Sequence, residues 1–227
     1  MKMYLLLEGR RTEKKIYRAW FSHWFPNFRQ AERIEDLSEN TIFMLAGMGY
    51  PQYLRRIADA VADCTSAKVD HLFICVDAEE ELPNKRRSEV LSAISEIRTN
   101  SATDSVKIHV VVQDCCIETW LLGHRKLIPR KPMSARLREY LTTYDVAVLD
   151  PEKLGSHQRF LTRSQFHFDY LREVFRHHNK SFSKQNPGIA LEQNYLEALL
   201  SRHRETGHIS SFGTLTEILT TLGAKPL

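Results

Sequence analysis

A chain of 227 residues with 42% hydrophobic and 26% charged residues has enough apolar sequence for one large folded unit, or one unit with an appendage. No stretch approaches the roughly 18 apolar residues of a membrane span, and Met1 to Leu7 is too short for a signal core, so a cytoplasmic protein with no membrane partner is expected. The net charge of +4 suits an anionic partner without demanding one.

In chain order, residues 3–7 predict a short buried strand that stops on Glu8. Thr12 predicts the N-cap of a helix running to about Trp24 and ended by Pro26, with Ile16, Trp20 and Trp24 on one apolar face. Thr41 to Ala46 predicts a second strand. The stretch "GMGYP" predicts a turn, and a helix follows from about Gln52 to Cys64. "HLFICVDAEEE" predicts a third strand, then a helix of mixed charge from about Asn84 to Arg98. Lys107 to Val112 predicts a fourth strand, and a helix begins near Ile117. Alternating strands and helices imply an α/β fold with a mainly parallel sheet.

Beyond Gly123 the pattern weakens. "RKLIPRKP" predicts a loop, with a domain boundary near 124–135 as an option, and Val146 to Leu149 predicts a further strand. Three helices follow, in "RSQFHFDYLREVFRHHN", "ALEQNYLEALLSRHRE" and "ISSFGTLTEILTTLG", the first two separated by the polar loop "KSFSKQNPG". His177 and His178 fall at a helix C-terminus, where imidazolium complements the helix dipole. Cys64, Cys75, Cys115 and Cys116 lack zinc-knuckle spacing and predict reduced, mostly buried thiols.

Carboxylates mark three of the strand ends. Glu8 ends the first strand, Asp77 and Glu79 end the third, and Glu118 lies just after the fourth. In an open parallel sheet the carboxyl ends of the strands share one crevice, so these acids should converge there. Clustered carboxylates repel one another unless a hard cation neutralises them, as Mg²⁺ does in phosphodiester chemistry. Basic residues flank these positions, among them Arg10, Arg11, Lys85, Arg86 and Arg87, and would grip a nucleic-acid backbone.

The segments "LLLEGRRTEKKIYRAWF", "AGMGYPQYLRRIADAV", "FICVDAEE" and "CIETWLLGH" resemble the Toprim domain. The likeness spans about residues 3–124. It is closest to the small Toprim proteins of the RloB-like group and more distant to the nuclease domains of OLD-family proteins. It implies a Toprim-like (Rossmann-like) catalytic core over 1–124, with 125–227 as a mostly helical extension completing or capping the same domain. It also implies roles. Glu8 matches a metal ligand or general acid/base, and Glu13 a second metal-binding acid. Asp77 and Glu79 match an Asp-x-Asp pair in which Glu replaces the second Asp, and Glu118 matches the acid before "WLL". Lys184, in "KSFSKQNPG", matches a lysine that contacts the scissile phosphate.

The expected activity is therefore a nuclease dependent on one or two Mg²⁺ or Mn²⁺ ions and acting on DNA or RNA. The resemblance further implies a role in bacterial anti-phage defence beside an ATPase. No Gly-x-x-x-x-Gly-Lys-Ser/Thr loop occurs, so that ATPase would be a separate chain. Assembly with further copies of itself stays open. The alternative is a non-catalytic module that binds a metal or a regulatory partner.

Overall fold

A computed structural model describes residues 1–47, 49, 51–99 and 105–227; Met48 and Tyr50 of the expected glycine turn lie outside them. The fold is α/β, a Rossmann-like sheet flanked by helices. Strands β1 (Lys2–Leu7), β2 (Arg29–Ala31), β3 (Thr41–Ala46), β4 (His71–Asp77) and β5 (Lys107–Gln113) pair in parallel in the order β2-β3-β1-β4-β5. The short edge strand β2 has no counterpart among the sequence expectations, because three residues carry no readable period.

Side-chain alternation along β1 divides the core. Met3, Leu5 and Leu7 pack on one face of the sheet, and Tyr4 and Leu6 on the other. Helix α1 (Thr12–Trp24) covers the first face through Ile16, Tyr17, Trp20 and Phe21, all without solvent contact. Helices α2 (Gln52–Ser66) and α3 (Pro83–Thr99) cover the second through Tyr53, Ile57, Val90 and Ile94. The aromatic stripe of α1 is therefore core. The connection leaving β1 goes to one face, whereas those leaving its neighbours β3 and β4 go to the other. That reversal opens a crevice at the carboxyl end of β1, where an open α/β sheet binds ligands.

Residues after Gly123 build onto the α1 face. Helices α4 (Ile117–Leu121), α5 (Ala135–Thr143), α6 (Arg163–His177), α7 (Gln193–Thr206) and α8 (Ser210–Thr221) share one core with α1. Trp120 and Trp20 both meet Phe212 of α8 edge-on, and the Trp20 indole N–H donates to Ala190 O at 2.9 Å.

Two expectations need correcting here. Val146 to Leu149 is a turn and not a strand. Asp145 organises it by accepting from the Ala147 N–H at 2.9 Å through Oδ1 and from the Leu149 N–H at 2.8 Å through its carbonyl. The buried Arg202 guanidinium then takes the free carbonyls of Val146 and Leu149, at 2.7 and 2.6 Å. Helix α5, capped by Ser134 through the Leu137 N–H, lies where no element was expected.

Candidate active site at the carboxyl edge of the sheet

Adjacent strands bring the first two acids together. Leu7 pairs with Cys75 across β1 and β4, so Glu8 emerges beside the end of β4, and its Oε2 accepts from the Asp77 N–H at 3.0 Å. The Tyr53 hydroxyl lies 2.9 Å from the carbonyls of both Leu6 and Cys75 and ties the two strands just below this contact. On the far side, Asp77 pairs with Gln113, the last residue of β5. Glu118 follows in the first turn of α4, where the amide-rich helix start favours an acid. Glu13 comes from the first turn of α1. Its Oε2 accepts from the Gly9 N–H, and its Oε1 from the Gln113 amide at 2.7 Å. The same approach requires glycine at position 9, because a Cβ there would sit 2.8 Å from Glu13 Oε2.

The cleft consists of adjoining hollows that meet at Asp77. One, of about 270 Å³, is lined by Arg10, Arg11, Glu13, Asp77, Glu118 and Lys184. A second brings Glu8 to Asp77 beside Gly47 and Gly49. A third, of about 390 Å³, joins Asp77, Glu79, Glu118 and Lys184 to residues of α6.

Burial and mutual repulsion hold Asp77 and Glu13 well above the ordinary carboxylate range. Asp77 is raised by burial first, then by Glu13, Glu8 and Glu118. Glu13 is pushed up to about 8, mainly by burial, with Glu8 adding to it and the Gly9 hydrogen bond opposing it. Burial also raises Glu118, against the hydrogen bonds it accepts and the charge of Lys184. Asp77 Oδ1 is fully shielded from solvent and has no hydrogen-bond partner. Fold stability alone gives no reason for that arrangement, since an orphaned buried oxygen costs free energy.

Lys184, far away in sequence, reaches the same place through two tethers. The Thr12 hydroxyl donates to Lys184 O at 2.9 Å, and Lys15 Nζ donates to Gln185 O at 2.5 Å. Thr12 is thus not the N-cap. Arg11 holds that position, and the threonine hydroxyl serves this long-range contact.

Glu79 stands apart. It is exposed, with a left-handed φ of 50°, and lines only the third hollow; its N–H donates to Cys115 O and its carbonyl accepts from Arg163 Nη1. The expected basic cluster Lys85-Arg86-Arg87 needs correcting at Arg86, while Lys85 and Arg87 are exposed. Arg86 is buried and pairs with Glu89, because it precedes the core residues Val90 and Ile94 at four-residue steps on α3. Lys85 pairs with Glu81, and Arg87 donates to Val110 O. Exposed cations beside the acids include Lys184, Arg10 and Arg11, the last two continued by the half-buried Lys14 and the exposed Lys15 and Arg18 along α1.

The four cysteines are free and buried. Two of them meet a histidine that no sequence spacing links to them. The donor atoms of Cys115, Cys116 and His167 lie within 4.8 Å of one another and could hold a soft metal. Both imidazole nitrogens are already engaged, Nδ1 with the Thr119 hydroxyl at 2.7 Å and Nε2 with Leu154 O at 3.1 Å. As it stands, the group is an internal hydrogen-bond network supporting the α4 turn.

Sequence reasoning also missed Gln113, Arg163 and Phe168. Gln113 ends a strand at the acidic edge, and that position was its signal. Phe168 reaches the cleft, and Arg163 the Glu79 carbonyl beside it, only through the packing of α6. In comparisons with known proteins, no family model, curated protein or solved structure matches this chain. Among the described residues, no helix is long and apolar enough to cross a membrane.

Proposed function

We propose that this protein is a divalent-metal-dependent nuclease that hydrolyses phosphodiester bonds in DNA or RNA. The observation that carries the proposal is the convergence of Glu8, Asp77 and Glu118 on one crevice, with Asp77 Oδ1 buried and unpartnered. An all-carboxylate donor set with one orphaned oxygen fits a hard cation such as Mg²⁺ or Mn²⁺. One or two such ions, when bound, would supply the positive charge that stabilises the attacked phosphate. Glu8, Asp77 and Glu118 would hold them, with Glu8 also placed to take the proton from an attacking water.

Glu13 takes a supporting role in this reading. Both its oxygens already hold the Gly9 turn and Gln113, so it braces the loop that carries Glu8. Lys184 sits at the cleft mouth to receive a phosphate oxygen, and Arg10 and Arg11 follow the backbone outward. Glu79 is exposed and shares only the third hollow with Asp77 and Glu118, which favours one ion over two. The same smaller acid set supports the second reading, a module that binds metal or a partner without cleaving. Four buried free cysteines agree with a reducing, cytoplasmic setting. Work beside a separate ATPase in bacterial defence rests on the RloB-like resemblance alone.

The test is direct. The protein is incubated with plasmid, single-stranded DNA and tRNA in Mg²⁺, Mn²⁺ or EDTA, alongside Glu8→Gln and Asp77→Asn. Cleavage that needs the ion and both acids supports the nuclease. Cleavage that persists in both variants sinks the site. Ion binding without cleavage of any substrate, in the presence of its co-purifying partners, favours the module.

A further inference from the structure

Helix α6 turns one face to the acidic cleft. Phe168 is only partly buried and lines the third hollow, which shares Asp77, Glu118 and Lys184 with the hollow beside it. Two cations lie over its ring and would meet a base that stacks there. The Arg172 guanidinium carbon lies 5.9 Å from the ring centroid and Lys184 Nζ lies 6.0 Å away. Asp169 holds Arg172 in place by an ion pair, and Asp169 is itself fixed by the Tyr140 hydroxyl at 2.7 Å. Gln165 accepts from the Leu161 N–H at 3.2 Å through Oε1, which leaves its NH₂ group for a ligand. An aromatic ring with the paired Arg172 and the exposed Lys184 over it, beside an amide, suits a flat, polar ring attached to an anion.

We propose that this hollow is a nucleobase subsite, in which Phe168 stacks one unpaired base adjacent to the phosphate that Lys184 and a cation at Asp77 and Glu118 would hold. The proposal rests on the phosphodiesterase reading and narrows it to substrates with unpaired nucleotides. The adjoining surfaces divide the labour. The loop carrying Lys184 and Gln185 separates two unlike sides, for Lys184 lines the aromatic hollow while Gln185 borders the basic groove of Arg10, Arg11, Lys14 and Lys15. A strand crossing the cleft would lay its backbone on the basic side and turn one base onto Phe168. A base inside a duplex has both faces covered by its neighbours and cannot make that contact without leaving the stack.

The experiment uses the whole protein with Ca²⁺ replacing Mg²⁺ to slow turnover. The probes are a dT₁₂ strand carrying 5-iodouracil, its rU₁₂ counterpart, and each annealed to its complement. Affinity is read by fluorescence anisotropy, and ultraviolet cross-links are mapped by mass spectrometry. The expected results are a cross-link on Phe168, tighter binding of a single strand than of its duplex, and roughly 5- to 100-fold weaker binding by Phe168→Leu. Leucine keeps an apolar contact to Phe182, against which Phe168 packs, and Phe168→Trp should restore affinity. Wild-type affinity in Phe168→Leu, cross-links confined to other residues, equal binding of duplex, or no binding of either strand each overturns the subsite. If metal-dependent cleavage survives any of these, only the subsite falls. If Glu8→Gln and Asp77→Asn cleave like the wild type, the underlying reading falls instead.

Discussion

Strand β4 runs between two aspartates with opposite surroundings. Asp70, just before it, is exposed and accepts from the Lys2 N–H at 2.7 Å, closing the amino edge of the sheet. Asp77, at its other end, is surrounded by Glu8, Glu13 and Glu118 and keeps one oxygen unpartnered. The same residue type serves the fold at one end and works against it at the other. Evolution of a stable sheet explains Asp70. It does not explain four acids meeting at a crevice, where each makes the ionisation of the next more costly. That cost is intelligible if the carboxyl edge binds a cation.

The largest expected difference between the two ends is in activity. Asp77→Asn should lower metal-dependent cleavage by about 10²–10⁴-fold, and it should raise the metal-free melting temperature by roughly 2–4 °C, because it removes an acid whose ionisation burial and its neighbours oppose. Asp70→Asn keeps an oxygen for the Lys2 N–H and should leave cleavage unchanged, with stability within about 0.5 kcal/mol. Single-turnover cleavage and thermal melts of both variants test this pair. Equal effects at the two ends would erase the contrast.

The next effect is linkage between metal, proton and fold. Burial pushes Glu13 up to about 8 in the folded protein, from an ordinary value of 4.5. The folded state therefore binds the extra proton between those values, and its contribution to stability is lost as pH rises from 4.5 through 8. A cation competes with protons for the cluster, so it should restore stability most at the alkaline end. At about 100-fold excess over its dissociation constant it would contribute roughly 2.7 kcal/mol, or about 5–10 °C. Melting curves from pH 5 to 8.5, in EDTA and in saturating Mg²⁺, should diverge with rising pH. Parallel curves would mean that these acids do not meet a cation.

The contrast also explains how far the sequence could be read. Glu8, Asp77 and Glu118 were legible because strands that end on acids in a parallel sheet share one edge, whatever lies between them. Arg86 looked equivalent to Lys85 and Arg87 in a basic run, yet its four-residue step to Val90 and Ile94 puts it on the buried face of α3. The Thr12 hydroxyl, which reads locally as a cap, answers to a carbonyl 172 positions away. Phe168 and Arg163 lie on a helix whose existence was plain and whose orientation was not. Local periodicity specifies an element and its apolar face; it does not say which polar residues at the margin of that face will border a cleft built by other segments.

A smaller effect tests the brace within the acidic edge. Gln113→Leu would remove the donor to Glu13 Oε1 while keeping an apolar side chain of similar length in a fully buried position. Partners that orient metal ligands typically matter by about 10–100-fold in affinity, and Gln113 acts one step further out, so a drop near the low end, about tenfold, is expected. Isothermal titration with Mn²⁺ measures it. An unchanged affinity would make Gln113 a packing residue only.

The smallest effect belongs to the amino edge and runs the other way in pH. His71 Nδ1 lies 3.0 Å from His109 Nε2, and the His109 ring stacks on Phe73 at 4.8 Å. Burial, then His71 and Lys107, lower His109 to about 4 from 6.5. The unfolded chain therefore takes up a proton that the folded one refuses, and stability is lost as pH falls from 6.5 toward 4. His109→Phe keeps the stack and removes the titration. The difference in melting temperature between wild type and variant should be small and constant above pH 7. Below 6.5 it should grow steadily in the variant's favour, with or without Mg²⁺. A dependence on Mg²⁺ would show that the two ends of the sheet are coupled and that the division drawn between them is too sharp.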